Sequence, residues 1–185
     1  MASLTSFLPM LVSHLGITQA AIYERQRALV RLGLLPKPIG RGRGSGAEAT
    51  PATVGLIILS ALATDNLSDM DERIIRLAHA PVREFRNRKE CRLTKQTVFL
   101  QALSSTLADY ELAKRVSTVR VNRRSLEATI YWQQKISGKV DLSKFDSGGG
   151  DAECSLVVTA RLDGTALRHI AAMLAMENTM GGSNV

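Results

Sequence analysis

Residues 11–46, LVSHLGITQAAIYERQRALVRLGLLPKPIGRGRGSG, decide how the chain is organised. They predict the end of a short helix, a turn at Gly16, a longer helix from Gln19 to Leu32, and then a basic loop rich in glycine. Thr18 is a suitable N-cap, because its hydroxyl can accept a hydrogen bond from a free N–H of the first helical turn. We therefore expect two consecutive helices joined by a tight turn.

The apolar sides of these two helices predict how they pack. The first helix begins at Ser3 or Thr5, both suitable N-caps, although Pro9 leaves a later start near Leu8 open. Its apolar residues recur at helical spacing and form one stripe: Leu4, Phe7, Leu8, Leu11, Val12 and Leu15. The inward residues of the second helix are Ile22, Leu29 and Leu32. The first helix is thus expected to be a scaffold that supports the second.

The opposite side of the second helix carries groups that can recognise nucleic acid. Together with the N-cap, this side presents Thr18, Gln19, Ala20, Tyr23, Arg27 and Arg31. Amide and guanidinium groups form hydrogen bonds with base edges, and hydroxyl and guanidinium groups hold phosphates. We expect Gln19, Tyr23 and Arg27 to reach bases. Thr18 and Arg31 are expected to lie nearer to phosphate.

The loop after the second helix is basic and rich in glycine. It runs from Pro36 to Pro51 and includes Lys37, Arg41 and Arg43. Glycine lets the backbone lie close to a sugar-phosphate surface, and the basic side chains supply positive charge. We predict that these three residues hold the DNA backbone or enter the minor groove. The alternative is a flexible linker whose arginines have no role.

Composition narrows the class of partner. The net charge is +7 and the isoelectric point is near 9.8, which favours a polyanion. Only 4% of the residues are aromatic, so the sequence offers no platform on which single-stranded bases could stack. No apolar segment is long enough to cross a bilayer, and no membrane partner is expected. Cys91 and Cys154 lack metal-ligand spacing, and reduced thiols in a cytoplasmic protein are expected, with a disulfide between them as the alternative.

The sequence contains no recognised catalytic motif. His14, His79 and His169 are widely separated, and no HExxH, nucleophile-elbow or phosphate-binding-loop pattern occurs. The GRGRGSG run lacks the lysine of a phosphate-binding loop and follows a helix instead of a strand. We therefore predict that the protein is not an enzyme, with no catalytic residue, metal site or cofactor.

The remaining sequence predicts a mixture of helices and strands. The predicted helices are 51–63, one that begins at Ser68 and buries Ile74, Ile75, Leu77 and Ala78, and 95–114 with Thr94 as its cap. The predicted strands are 118–122, 126–132 and 154–162, followed by a final helix that begins at Asp163 or Thr165. The arginine-rich segment 82–95 is either a phosphate-contacting surface or a solvated connector.

Two motifs carry a resemblance to a class of DNA-binding proteins. LGITQAAIYER, residues 15–25, resembles the turn and recognition helix of MerR-like regulators and of DNA-binding proteins from phages or mobile elements. ALVRLGLL, residues 28–35, resembles the end of the recognition helix in winged repressors. With the GRGRGSG loop, residues 11–46 are similar to a winged helix-turn-helix. Arg25 departs from this pattern, which has an apolar residue there when it is aligned on Gly16.

The resemblance implies a fold and a function. We expect an α+β protein with a winged helix-turn-helix domain at 1–50, a helical connector or oligomerisation region at 51–115, an α+β domain with a small antiparallel sheet and a final helix at 116–178, and a flexible tail at 179–185. The implied function is sequence-specific binding of double-stranded DNA by a homodimeric transcription regulator. One alternative is a small terminase-like subunit that packages phage DNA as a ring. Another is a protein–protein adaptor whose basic surface is incidental.

Overall fold

The computed structural model describes residues 2–37, 46–83, 89–134, 137–148 and 157–180. Within them the chain forms seven helices and one four-stranded antiparallel sheet. The helices are α1 (Leu4–Leu15), α2 (Gln19–Arg31), α3 (Pro51–Ala63), α4 (Met70–Ala78), α5 (Phe99–Ala108), α6 (Tyr110–Arg115) and α7 (Gly164–Met180). The strands are β1 (Val116–Asn122), β2 (Glu127–Gln133), β3 (Val140–Asp146) and β4 (Thr159–Asp163). The predicted mixed class, with a final helix, is confirmed.

Helices α1 and α2 begin at the caps that the sequence predicts. The Ser3 hydroxyl accepts a hydrogen bond from the Ser6 N–H at 3.2 Å, and the Thr18 hydroxyl accepts one from the Ala21 N–H at 3.2 Å. Gly16, between the two helices, has a φ of 63°, a left-handed conformation that costs glycine little. The tight turn between the helices is therefore confirmed.

Four of the six residues of the predicted apolar stripe of α1 are buried, and Val12 and Leu15 are partly buried. The helix begins ahead of Pro9, and four of its side chains have no exposed surface: Leu4, Phe7, Leu8 and Leu11. In α2 the buried residues are Ile22, Arg25, Ala28 and Leu29. Leu32 lies just beyond α2 and is only partly buried. The two helices thus pack through one side each and leave one side of α2 exposed.

Helix α3 is the central helix of the protein. Thr50 and Thr53 cap its start reciprocally, since each hydroxyl accepts a hydrogen bond from the other residue's N–H, at 3.2 and 2.9 Å. Every residue from 54 to 63 is buried. A helix that is apolar on all sides is stable only when other elements surround it, and α3 contacts α1, α2, α4 and α5.

Helix α4 differs from the prediction at its start and on one face. It begins at Met70 instead of Ser68. Ile75 was predicted to face inward, but 43% of its surface is exposed. The buried residues of α4 are Met70, Ile74, Leu77 and Ala78. These positions repeat at the spacing of a single helical face, and Ile75 lies outside that face.

The single helix predicted at 95–114 is wrong in two respects. Lys95 has a φ of 64°, which is incompatible with a helix start capped by Thr94, and α5 begins at Phe99. Asp109 then interrupts the helix, with a ψ of 107°. Its carboxylate accepts hydrogen bonds from the N–H groups of Glu111 and Leu112, so it caps the new helix α6. Apolar periodicity continues across this break, which explains why the sequence predicts one helix.

The sheet has the strand order β3-β2-β1-β4. The predicted hairpin of β1 and β2 is confirmed, and Asn122 faces Glu127 across the turn. Strand β3 was not predicted, because Val140 and Leu142 lie on one face and Phe145 on the other, which breaks the alternation. Strand β4 begins at Thr159, later than predicted, and residues 149–156 lie outside the described part of the chain.

One hydrophobic cluster joins the parts of the described chain. It includes Leu8 of α1, Ile57 of α3, Val119 of β1 and Leu174 of α7. The start of α7 follows one of the two predicted caps, since the Asp163 carboxylate accepts a hydrogen bond from the Thr165 N–H at 2.8 Å. The domain boundaries near residues 50 and 115 stay predictions. None of the described helices is both long and apolar enough to cross a membrane.

Candidate nucleic-acid interface

The polar side of α2 lies at the surface of the protein. We call it the α2 face and define it by Thr18, Gln19, Ala20, Tyr23, Arg27 and Arg31. All of these residues are exposed except Tyr23, which is half-buried and packs against the hydrophobic cluster. The Thr18 hydroxyl already serves as the N-cap of α2. Gln19 and Ala20 follow it in the first turn, where two exposed side chains could approach a groove of DNA.

Both arginines of the α2 face have acidic partners. Arg27 donates to the Glu24 carboxylate at 2.5 Å, one helical turn away on the same helix. Arg31 donates to both oxygens of the Asp71 carboxylate of α4, at 2.9 and 3.1 Å. These pairs are exposed, so each contributes little to stability. Each arginine can therefore exchange its carboxylate for another anion. Neither Glu24 nor Asp71 was expected to be a partner of these arginines, although the spacing of Glu24 and Arg27 in the sequence was a visible signal.

Arg25 occupies a buried position of α2 and is only 3% exposed. It stands where the helix-turn-helix pattern has an apolar residue, so the side chain that departs from the pattern still lies in the core. Its guanidinium donates to the Ser60 carbonyl at 2.6 Å and to the Thr64 carbonyl at 2.9 Å. These carbonyls lie at the C-terminal end of α3, where the negative end of the helix dipole attracts a cation. Arg25 therefore fixes α2 to the central helix.

A second arginine binds the same end of α3. Arg123, in the turn between β1 and β2, donates to the carbonyls of Ala61 and Leu62 at 3.1 and 3.2 Å, and also to the Asp65 carboxylate. Burial lowers the pKa of the Arg25 guanidinium; the Asp65 carboxylate opposes this shift and the Arg123 guanidinium adds to it. The end of α3 thus connects the buried side of α2 to the turn between β1 and β2.

The described ends of the basic loop lie beside the helix pair. Lys37 is exposed, and it is the last residue of the loop described before the segment 38–45, which lies outside the described part of the chain. After the loop the chain runs against the start of α1, where the Leu4 N–H donates to the Ala47 carbonyl at 2.7 Å. The predicted backbone contacts Arg41 and Arg43 lie outside the described residues.

The described ends of the arginine-rich segment 82–95 pack against the sheet. The Arg92 guanidinium lies 2.5 Å from the Asp141 carboxylate, and the Arg92 N–H donates to the Ser143 hydroxyl at 3.3 Å. At the other end, the Arg83 N–H donates to the Lys144 carbonyl at 2.8 Å. Residues 84–88 are outside the described part. The described ends therefore have a structural role, which neither predicted alternative anticipated.

Two of the three histidines come together, which the sequence did not reveal. His14 of α1 and His169 of α7 have ring centroids 5.6 Å apart. Partial burial lowers the pKa of His14, and His169 lowers it further, so the neutral ring is favoured. Among the residues that the structure describes, no three His, Cys, Asp or Glu side chains are grouped as metal ligands. The pair forms a contact between α1 and α7.

The α2 face is the surface on which the described structure brings the predicted site residues together. It combines an amide, a phenol and two exposed guanidinium groups on one helix, with Lys37 on the segment that follows α2. Its arginines are paired with carboxylates, which reduces its local positive charge. No family model, no curated protein and no solved structure matches this chain.

Proposed function

We propose that the protein binds duplex DNA in a sequence-dependent manner through the α2 face and acts as a transcription regulator. The observation that carries this proposal is the exposure of Gln19 and Arg27 on a helix whose other side is fixed by Arg25. A helix held rigidly with polar residues exposed can enter a major groove without rearrangement. One such helix contacts few base pairs, so two copies on adjacent half-sites would supply the affinity of a regulator.

The charge of the chain favours a nucleic acid as the partner, and the aromatic content of the α2 face favours a duplex over a single strand. The chain carries a net charge of +7, and Arg27 and Arg31 can exchange their partners, the carboxylates of Glu24 and Asp71, for phosphates. The α2 face contains one aromatic residue, Tyr23, and it is half-buried. Binding of a single strand usually depends on several exposed aromatic side chains that stack on bases. The α2 face therefore fits the edges and phosphates of a duplex better.

Fluorescence anisotropy with labelled duplex DNA tests the proposal. We expect binding at low salt that weakens as salt rises, because counterions are released from the phosphates. Selection of bound fragments from random duplexes should enrich one motif. If the protein fails to bind any duplex at about 50 mM salt, or if selection enriches no motif, the proposal is wrong.

Replacing Gln19 by alanine should reduce affinity only for the selected motif. A bidentate amide contact discriminates between bases by about 1–3 kcal/mol, and binding to random duplex should stay almost unchanged. Gln101→Ala is the matched control, because Gln101 is an exposed glutamine on α5. Equal loss of affinity on the motif and on random DNA would show that Gln19 does not contact base edges.

Replacing Glu24 by glutamine should strengthen binding to all duplexes at low salt. The change removes a negative charge from the α2 face and releases Arg27 for phosphate, for a gain of about 1 kcal/mol, or roughly fivefold in Kd. Glu111→Gln is the matched control, since Glu111 forms an exposed pair with Lys114 at the same spacing on α6. Titrations at several salt concentrations measure the effect. An unchanged or weaker affinity would argue against contact between the α2 face and DNA.

A further inference from the structure

The two edges of the sheet differ in how far they are covered by other parts of the described chain. The outer edge of β3 is covered by the segment that follows α4. There the Arg83 N–H donates to the Lys144 carbonyl at 2.8 Å, and the Asp146 N–H donates to the Pro81 carbonyl at 2.9 Å. Strand β4 forms the other edge, and within the described ranges it pairs only with β1. An edge strand with free backbone groups is a template for pairing with another strand.

The register of β4 shows which backbone groups point away from the sheet. The Arg123 N–H, one residue beyond β1, donates to the Val158 carbonyl at 2.8 Å, so Val158 directs its backbone groups toward β1. These directions alternate along an antiparallel strand, and Ala160 therefore also bonds to β1. Thr159 and Arg161 direct their N–H and C=O groups to the outer edge, and both residues are exposed.

The two residues just before β4 are apolar and exposed. Val157 and Val158 are 61% and 46% exposed, although valine is usually buried in folded proteins. Residues 159–163, TARLD, contain no proline, and their pairing with β1 is continuous without a bulge. Proline and bulges are two of the means by which an edge avoids pairing. Charged side chains also protect edges, but those of β4, Arg161 and Asp163, lie 3.5 Å apart as a pair. The edge therefore keeps backbone groups to which a strand can be added.

We propose that β4 pairs with β4 of a second copy of this chain, in antiparallel orientation about a two-fold axis at Ala160. The two four-stranded sheets then form one continuous sheet of eight strands. In this register Thr159 lies opposite Arg161 of the partner subunit, and both residues direct their hydrogen-bonding groups toward each other. A two-fold axis makes each such contact occur twice, so the edge is complementary to itself.

Charge disfavours the register in which the axis lies at Arg161. An axis at Arg161 would place the two arginine side chains directly opposite each other on the same face of the sheet, which is unfavourable. With the axis at Ala160, Arg161 instead faces a threonine and keeps its own Asp163, whose carboxylate lies 3.5 Å away. The apolar Val157 is also brought into the paired region. A second copy thus supplies hydrogen-bond partners for the outward backbone groups of β4, and all the paired residues lie within 157–163.

The biological role of this dimer rests on the proposed function, because the second copy would present a second α2 face to DNA. The test measures the mass of the protein without DNA. The dimer can therefore be disproved independently of DNA binding. Light scattering during gel filtration of the full chain should give twice the chain mass of 20.1 kDa at micromolar concentration.

Thr159→Pro is the decisive variant. Proline removes the outward N–H of position 159 and leaves the hydrogen bonds to β1 intact, so we expect a folded monomer. Thr159→Ala retains the N–H and should stay a dimer, and the circular dichroism of both variants should match the parent. A parent that is monomeric, a Thr159→Pro variant that still dimerises, or a ring of many copies would overturn the proposal.

A crosslinking experiment decides the matter if Thr159→Pro fails to fold. Two chains are prepared in a Cys154→Ser background, one with Thr159→Cys and the other with Arg161→Cys. Opposite residues of an antiparallel pair have Cα atoms about 5.5 Å apart, which suits a disulfide. Mixing the chains under mild oxidation should therefore crosslink them faster than either chain alone. Equal rates in the mixture and in the single chains would overturn the register.

Discussion

Replacing Arg25 by alanine is expected to lower the free energy of unfolding by about 3–5 kcal/mol. The change removes two short hydrogen bonds from a charged donor to the carbonyls of Ser60 and Thr64. It also leaves a cavity where a guanidinium and its stem are almost fully buried. Arg25→Met should cost roughly half as much, because methionine fills the space but donates no hydrogen bond. Urea unfolding followed by circular dichroism measures both losses.

Arg27→Ala is the matched control for this prediction. Arg27 lies on the same helix, but its side chain is exposed and its ion pair is with Glu24, which is also exposed. Its replacement should change the free energy of unfolding by less than about 0.5 kcal/mol. If Arg25→Ala is as mild as Arg27→Ala, the buried arginine does not fix α2 to α3. The α2 face would then lack the rigid support that the proposed function requires.

Replacing Gly164 by alanine should prevent stable folding. A Cβ atom at this first residue of α7 would lie 2.0 Å from the Val116 carbonyl oxygen and 2.9 Å from that of Ser117. Both obstacles are backbone atoms at the start of β1, so relief requires that α7 and the sheet separate. We expect a loss of more than about 4 kcal/mol, seen as insoluble protein or as a greatly lowered Tm.

Gly138→Ala distinguishes this crowding from the ordinary cost of replacing a glycine. Gly138 has a φ of 62°, but a Cβ there would meet no atom within 4 Å. Its replacement should cost only about 1–2 kcal/mol, which is the price of a left-handed conformation. A Gly164→Ala variant that melts within a few degrees of Gly138→Ala would show that α7 does not lie so close to β1.

Local signals account for the elements that the sequence predicts well. Thr18 and Thr50 cap helices at the predicted residues, and Gly16 ends α1 in the predicted conformation. A cap depends on atoms three residues apart, so it can be recognised without knowledge of the fold. The hairpin of β1 and β2 is local for the same reason, and its pairing was predicted correctly.

Contacts between distant residues explain the elements that were missed. Strand β3 has no regular alternation, and its inward Ser143 is held by the Arg92 N–H, which is distant in the sequence. The break at Asp109 depends on a carboxylate that turns back to cap α6. Ile75 is exposed because α4 directs a different face toward α3. In each case a tertiary contact outweighs a weak local preference.

The candidate site shows the same division. Sequence periodicity was sufficient to place Gln19, Tyr23 and Arg27 on one side of α2. It did not reveal that Asp71 of α4 holds Arg31, because that carboxylate is forty residues away in the chain. It also treated Arg25 only as a departure from a pattern. Binding of DNA by these residues stays a proposal that the salt titrations and the Gln19 and Glu24 variants test.

The sequence by itself determined the helix pair, its turn and the polar composition of the α2 face, because these depend on caps and on a repeat of a few residues. Only the tertiary structure decided that Arg25 is buried at the end of α3, that Arg123 shares that end, and that β4, among the described residues, pairs with a strand on one side only. Helix termini and sheet edges are completed by groups from elsewhere in the chain. Local sequence patterns carry no information about which distant groups those are.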